Sequence, residues 1–184
     1  MLNSLLRKRP KTAASARNAG DALYAAVSAQ ARQPTFYTTL GVADRIDARF
    51  ELYTLHVLLL ILRLRDEDRD GLTGGAVASQ SLFDVYVSAL DNVLREFGVG
   101  DVSMAKKMRT LGEALYGRMT AYEPPVRSGD GATLALHLAR NVYASEDAAE
   151  ANALSRYVLA ARASLAAQPF AAVLSAPSWP EITA

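Results

Sequence analysis

The stretch LYTLHVLLLILRL, Leu52–Leu64, leaves the chain few ways to fold. Successive residues of an α-helix are turned by about 100°, so this run presents apolar side chains on almost every side. A helix that is apolar all round has to be covered, by a bilayer or by the rest of its own protein. A bilayer span needs roughly 20 apolar residues and this run falls short of that. The segment, from about Arg49 to Arg65, therefore reads as the central core helix of a helical domain.

Other helices must surround it, and the sequence supplies them. Asn18 or Asp21 can cap a first helix carrying Leu23, Tyr24 and Val27, which ends before Gln33-Pro34. FYTTLGVADRID bridges to the core helix, with Asp47 as its cap. Leu82, Phe83, Tyr86, Leu90, Val93, Leu94 and Phe97 recur at helical steps, and Gly98 ends that helix in a left-handed C-cap before the tight turn at Gly100-Asp101. Met104, Met108, Leu111, Leu115, Met119 and Tyr122 form the next stripe, which Pro124-Pro125 is expected to stop, leaving VRSGDG as loop. Thr133–Tyr143 and Glu146–Ala167 read as two more helices. The tail PFAAVLSAPSWPEITA reads as extended, with Trp179 docking on the bundle. No alternating strand of useful length is found. The expected fold is all-α, a single-domain bundle of about six to seven helices. Its expected parts are a basic N-terminal arm over residues 1–17, the helical domain over 18–168 and a Pro-rich tail over 169–184. His56 and Leu60 in the core helix, Gly98 at the C-cap of the Leu82–Phe97 helix, and Tyr116 are the expected structural residues.

Chemistry is hard to place on this framework. The chain has no cysteine, which removes disulfides, thiolate nucleophiles and Cys-based zinc sites. G-x-S-x-G, G-x-G-x-x-G and Walker patterns are missing too. His56, set among leucines, reads as a neutral hydrogen-bonded core histidine, and His137 lies on a different helix. An enzyme would need a pocket of perturbed groups, for which His56, Glu51 and Asp84 are the nearest candidates. No catalytic residue, metal ligand or cofactor site is assigned. DEDRDG (Asp66–Gly71) matches the start of a calcium loop, but the twelfth position, where a bidentate Glu belongs, is Val77.

Net charge is only +1, so any polyanion contact must rest on a local patch, and DNA is not an expected partner. Lys106 and Arg109 fall nearly opposite the apolar stripe of their helix, Lys107 and Arg118 flank it, and Arg63 and Arg65 can extend the cluster. These six are the expected partner-binding residues. The N-terminal arm, with Leu2, Leu5 and Leu6 beside Arg7, Lys8, Arg9 and Lys11, is a second basic element suited to an anionic membrane surface. On these grounds alone the chain is a helical interaction domain.

The blocks Leu-Gly-Val-x-Asp (Leu40–Asp44), Arg-Phe-Glu (Arg49–Glu51), Leu-His-Val with Arg-x-Arg (Leu55–Val57, Arg63–Arg65), Gln-x-Leu-Phe-Asp (Gln80–Asp84), Leu-Arg-Glu-x-Gly-Val-Gly-Asp (Leu94–Asp101), Lys-Lys-Met (Lys106–Met108) and Tyr-Gly-Arg (Tyr116–Arg118) occur in that order. Together, with a weaker echo in Leu134–Tyr143, they resemble the ubiquinol–cytochrome c chaperone family. The resemblance implies a non-enzymatic assembly factor, similar to a bacterial member, that binds newly made cytochrome b or another membrane-protein client and supports assembly of the cytochrome bc complex. It implies a place in the cytoplasm at the inner membrane, or on the matrix side in a eukaryote. A small assembly subunit and the ribosome are further partners it suggests. The alternative is a peripheral module that uses the basic helix face on ribosomal RNA or anionic lipid.

Because Val77 offers no ligand oxygen, calorimetric titration with calcium should show no sub-micromolar site; a tight, stoichiometric heat signal would overturn the acidic-turn reading.

Overall fold

The computed structural model describes residues 18–67 and 74–183. Among them there is no strand, and the chain is all-α. The helices are α1 (Gly20–Ala31), α2 (Pro34–Thr38), α3 (Ile46–Glu67), α4 (Gly75–Glu96), α5 (Asp101–Ser128), α6 (Gly131–Leu138), α7 (Asn152–Ala167) and α8 (Phe170–Ser175). A π-helical turn, Ala139–Tyr143, continues α6, and a 3₁₀ turn, Ala148–Ala151, precedes α7.

α3 is the axis of the molecule. Every residue from Thr54 to Leu64 is buried. α1 and α4 pack on it from one side, while α7 and the π-turn cover another and α5 crosses it. The few polar groups in this buried run are all bonded. Thr54 shares a hydrogen bond with Tyr86 of α4 at 2.7 Å, and Arg63 donates from Nε to the Leu165 carbonyl at 2.8 Å and from its outer nitrogen to that of Gln168 at 2.9 Å. Arg63 thus places a cation on carbonyls at the C-terminal end of α7, where both hydrogen bonds and the helix dipole favour it.

The structure differs from the sequence-based expectation at several ends. Pro124-Pro125 does not stop α5, which runs on to Ser128 and is terminated by Gly129 at φ 74°. An interior proline costs a helix roughly 3 kcal/mol. Here the last turn regains it in packing and charge: Pro125 and Val126 are buried, and Arg127 bonds Glu123 and Asp66, each at 2.7 Å. The loop shrinks to Gly129-Asp130, and Asp130 caps α6 by accepting from the Thr133 amide at 3.0 Å. At the start of α1 the N-cap is Ala19, without a side-chain bond, and Asp21 lies in the first turn. Asp47 is likewise inside the first turn of α3. The tail is not wholly extended, since α8 forms within it, and Trp179 packs on His56 with centroids 5.1 Å apart. Gly98 does adopt the left-handed conformation, φ 76°, closing α4 with Val99 donating back to Leu94 at 3.1 Å. Residues 1–17, and DEDRDG beyond Asp66 and Glu67, lie outside the described residues.

The periodic stripes of α4 and α5 are only partly used. Leu82, Tyr86, Leu115 and Tyr122 are buried, but between Tyr86 and Leu115 only Met104 is. Val93, Phe97 and Val102 are exposed. The end of α4 and the beginning of α5 therefore form a helical hairpin that stands clear of the body.

Leu60→Asp would place a carboxylate with no counter-charge at a fully buried site in α3. That costs several kcal/mol of a total stability that is typically about 5–15 kcal/mol. A thermal melt followed by circular dichroism should lose its cooperative transition; an unchanged melt would remove α3 from the centre.

Candidate functional site

Where α5 crosses α3 and α4, the three helices enclose a groove of about 540 Å³. Each helix contributes one face. Ile61 and Arg65 are one turn apart on α3, Ser79, Gln80 and Phe83 lie together on α4, and Tyr116, Met119, Thr120 and Glu123 follow at helical spacing on α5. The apolar part of the walls comes from Ile61, Phe83, Met119 and the Tyr116 ring, beside the polar Ser79, Gln80 and Thr120 and the charged Arg65 and Glu123. Tyr116, expected as a structural residue, is 74% exposed. It follows Leu115 by one residue, so its side chain turns about 100° from the buried stripe and points out at the groove. Phe83, Met119 and Glu123 were not singled out as site residues by sequence. The stripes of α4 and α5 include Phe83 and Met119, and nothing in a stripe tells a position covered by another helix from one left at the mouth of a groove.

The expected basic cluster divides into separate parts. Lys106, Lys107 and Arg109 are exposed on the free half of α5. Arg118 follows Arg109 by nine residues, roughly 13 Å along the axis. It is committed to Glu51 of α3: its Nε lies 3.1 and 3.0 Å from the two carboxylate oxygens, and its outer nitrogen bonds one of them at 2.6 Å. Glu51 is buried, and its hydrogen bond is the main reason the Arg118 pKa is raised. A forked pair of this kind orients both groups, and removing one partner typically costs about 3–5 kcal/mol. Arg63 is buried and bonded to Glu67 at 2.8 Å as well as to the end of α7. Arg65, two residues on, faces the opposite way, is exposed and borders the groove. Asp66 accepts from Arg127 and Arg162, tying α3 to α5 and α7. Burial pushes its carboxyl pKa up, but the two arginine hydrogen bonds win and hold it below the usual value.

The enzyme candidates are not brought together. Glu51 is held by Arg118, Asp84 accepts from Gln80 at 2.7 Å on the exposed side of α4, and His56 is bonded elsewhere. His56 Nδ1 lies 2.7 Å from the Leu52 carbonyl, so Nδ1 carries the hydrogen. Nε2 then accepts from the Tyr157 hydroxyl at 2.9 Å, and that hydroxyl accepts from Gln30 at 3.0 Å. Phe36 and Trp179 pack edge-on against the imidazole at 5.4 and 5.1 Å. His137 sits instead near Tyr122, with centroids 6.4 Å apart. Among the described residues, no three His, Asp or Glu side chains group as metal ligands would, and no helix is long and apolar enough to cross a membrane.

A groove with an exposed aromatic wall and a protruding hairpin describe a surface suited to holding another chain. The profile of the ubiquinol-cytochrome C chaperone family matches residues 38–179. The chain belongs to that family. This chaperone is also similar to a solved protein, reported as the crystal structure of the Cbp3 homolog from Brucella abortus: 29% of residues are identical, 92% of each chain is covered and the TM-score is 0.80. Comparison with the curated proteins gives no match. Family membership supports a role as chaperone or assembly factor for the cytochrome bc complex and implies a non-enzymatic one.

In this chaperone His56 also sets a pH limit on stability. Burial pushes its pKa down from 6.5 to about 4, against a smaller upward pull from the Leu52 carbonyl. The unfolded imidazole takes up a proton near its ordinary pKa while the folded one stays neutral, so the unfolded state binds more protons throughout this window. Stability from this site is full above pH 6.5 and is lost progressively as pH falls toward 4. Going from about pH 7.5 to about pH 5 should cost roughly 2 kcal/mol in urea denaturation, and His56→Gln, less stable overall, should lose much less over that interval. A wild-type stability that is flat across it would contradict the neutral buried imidazole.

Proposed function

We propose that this protein holds newly made cytochrome b while the cytochrome bc complex is assembled, and that the α3–α4–α5 groove takes the apolar face of one client helix. The observation that carries this reading is Tyr116, 74% exposed beside Phe83 and Met119 at the mouth of an apolar cleft. Exposed apolar surface rimmed by polar groups marks an interaction site, and an amphipathic or membrane-spanning helix docks into such a groove through side chains three and four residues apart. Methionine and tyrosine suit this task, the first because it adapts to differently shaped partners and the second because it offers a large ring at small entropic cost. Arg65 and Glu123 can meet polar groups at the ends of the client segment. Cytochrome b is a membrane protein, so the work is done beside the inner membrane, on its cytoplasmic side or, in a eukaryote, its matrix side.

Tyr116→Asp tests the groove. At so exposed a site the substitution should move stability by no more than about 0.5 kcal/mol. In cells lacking the wild-type protein, the variant should fold normally by circular dichroism yet leave cytochrome b and assembled cytochrome bc complex well below wild-type levels in the membrane fraction. Full restoration by a normally folded variant would remove the groove as the client site.

A further inference from the structure

The groove leaves the hairpin tip unexplained. Phe97 is 63% exposed, Val93 42% and Val102 98%. Phe97, the C-cap residue of α4, follows Val93 by one turn, and Val102 lies just past the connecting turn, in the first turn of α5. These side chains sit at the far end of an arm that buries almost nothing along its length. They form a convex point, with no facing wall of the kind that Phe83 and Met119 give the groove. A convex apolar point cannot enclose a peptide, but it can enter a soft medium.

The charges are arranged in the same direction. Val102, Lys106 and Arg109 stand at i, i+4 and i+7, on one face of α5, with Lys107 beside them. The cations follow Val102 by roughly 6–11 Å along the axis, about the depth of the headgroup and acyl boundary in which interfacial helices seat their apolar face. None of the three is ion-paired among the described residues. Arg95 bonds both Asp91, at 2.7 Å, and Asp101, at 2.9 Å, so one cation is shared between two carboxylates at the base of the tip. The other acids on the arm are Glu96 at the tip and Glu113, four residues beyond Arg109.

We infer that the tip of the α4–α5 hairpin is a membrane-docking point, at which Phe97 and Val102 enter the interface of an anionic bilayer while Lys106, Lys107 and Arg109 meet lipid phosphates. Along α5 the order from Val102 to Lys106, Lys107 and Arg109 matches the order from acyl region to phosphate layer, while Glu96 and Asp101 beside the tip oppose it. Docking by the hairpin does not depend on the identity of the client. It would hold the groove beside the membrane in which an apolar client is made.

The test uses the purified full chain and cosedimentation with vesicles of phosphatidylglycerol mixed with phosphatidylcholine, against phosphatidylcholine alone. All variants are made in a chain whose Arg7, Lys8, Arg9, Lys11 and Arg17 are replaced by Ser, so that N-terminal charge cannot carry the signal. The parent should bind the anionic vesicles and not the neutral ones. Phe97→Ser with Val102→Ser, and separately Lys106→Glu with Lys107→Glu, should each weaken binding by roughly tenfold or more, since each basic residue near such a surface contributes about a factor of five. Glu96→Gln should tighten it. Tyr116→Asp should leave it unchanged, which separates failure of this inference from failure of the groove. Absence of vesicle binding, binding indifferent to both double variants, or a tip that drives only self-association in sedimentation velocity would overturn the assignment.

Discussion

His56 reaches Leu52 through one ring nitrogen and Tyr157, and through it Gln30, by the other. That chain joins α1, α3 and α7, and the rings of Phe36 and Trp179 that close over it add α2 and the tail. A helix can be buried on every side only if each polar group it carries finds a partner, because an unpaired one costs about 1–3 kcal/mol. α3 meets this condition along its whole buried run, with Thr54, His56 and Arg63 all bonded and Glu51 and Asp66 neutralised by arginines from other helices. Each such bond also fixes the angle of a neighbouring helix, so the same contacts that permit burial align the bundle.

Beyond this body the molecule is built differently. Its polar groups point inward to partners, whereas the α4–α5 arm keeps apolar and basic side chains facing water. Keeping them there forgoes burial energy, about 25 cal/mol for each Å² of apolar surface. Exposed apolar area on a well-packed scaffold is what a holding protein requires: the scaffold supplies stability and the exposed surface supplies affinity for another chain. The groove lies where the two regions join, with Ile61 from the buried helix as its floor and Tyr116 from the arm as its rim.

Much of the body was legible in the sequence, because burial writes itself into composition. The run Leu52–Leu64 admits only a covered helix, Gly98 marks an abrupt helix end, and a neutral histidine is the natural reading among leucines. The site was less legible. Arg63 and Arg118 read as surface cations because arginines usually are, and only the fold brings carbonyls of α7 and Glu51 within reach of them. Pro124-Pro125 reads as a stop because local propensity says so, and tertiary packing of Pro125 and Val126 overrides it. The apolar stripe of α4 looks the same through Leu82 and Tyr86, where it is covered, as through Val93 and Phe97, where it is not. Periodicity names a face without saying what meets it.

The tail is fastened in an unusual manner. The Gln168 side chain accepts from the Ser178 amide and donates to the Ser178 carbonyl, both at 2.8 Å, so one side-chain amide takes the place of a neighbouring strand. That clamp lays the next residue, the only tryptophan of the chain, on the His56 ring. The protein therefore carries its one indole fluorophore at the His56 junction and none in the groove or on the arm. Its emission registers the seating of the tail and the charge on the imidazole beneath it, and is blind to events at the surfaces where partners dock, so it reports the integrity of the body without interference from partner engagement.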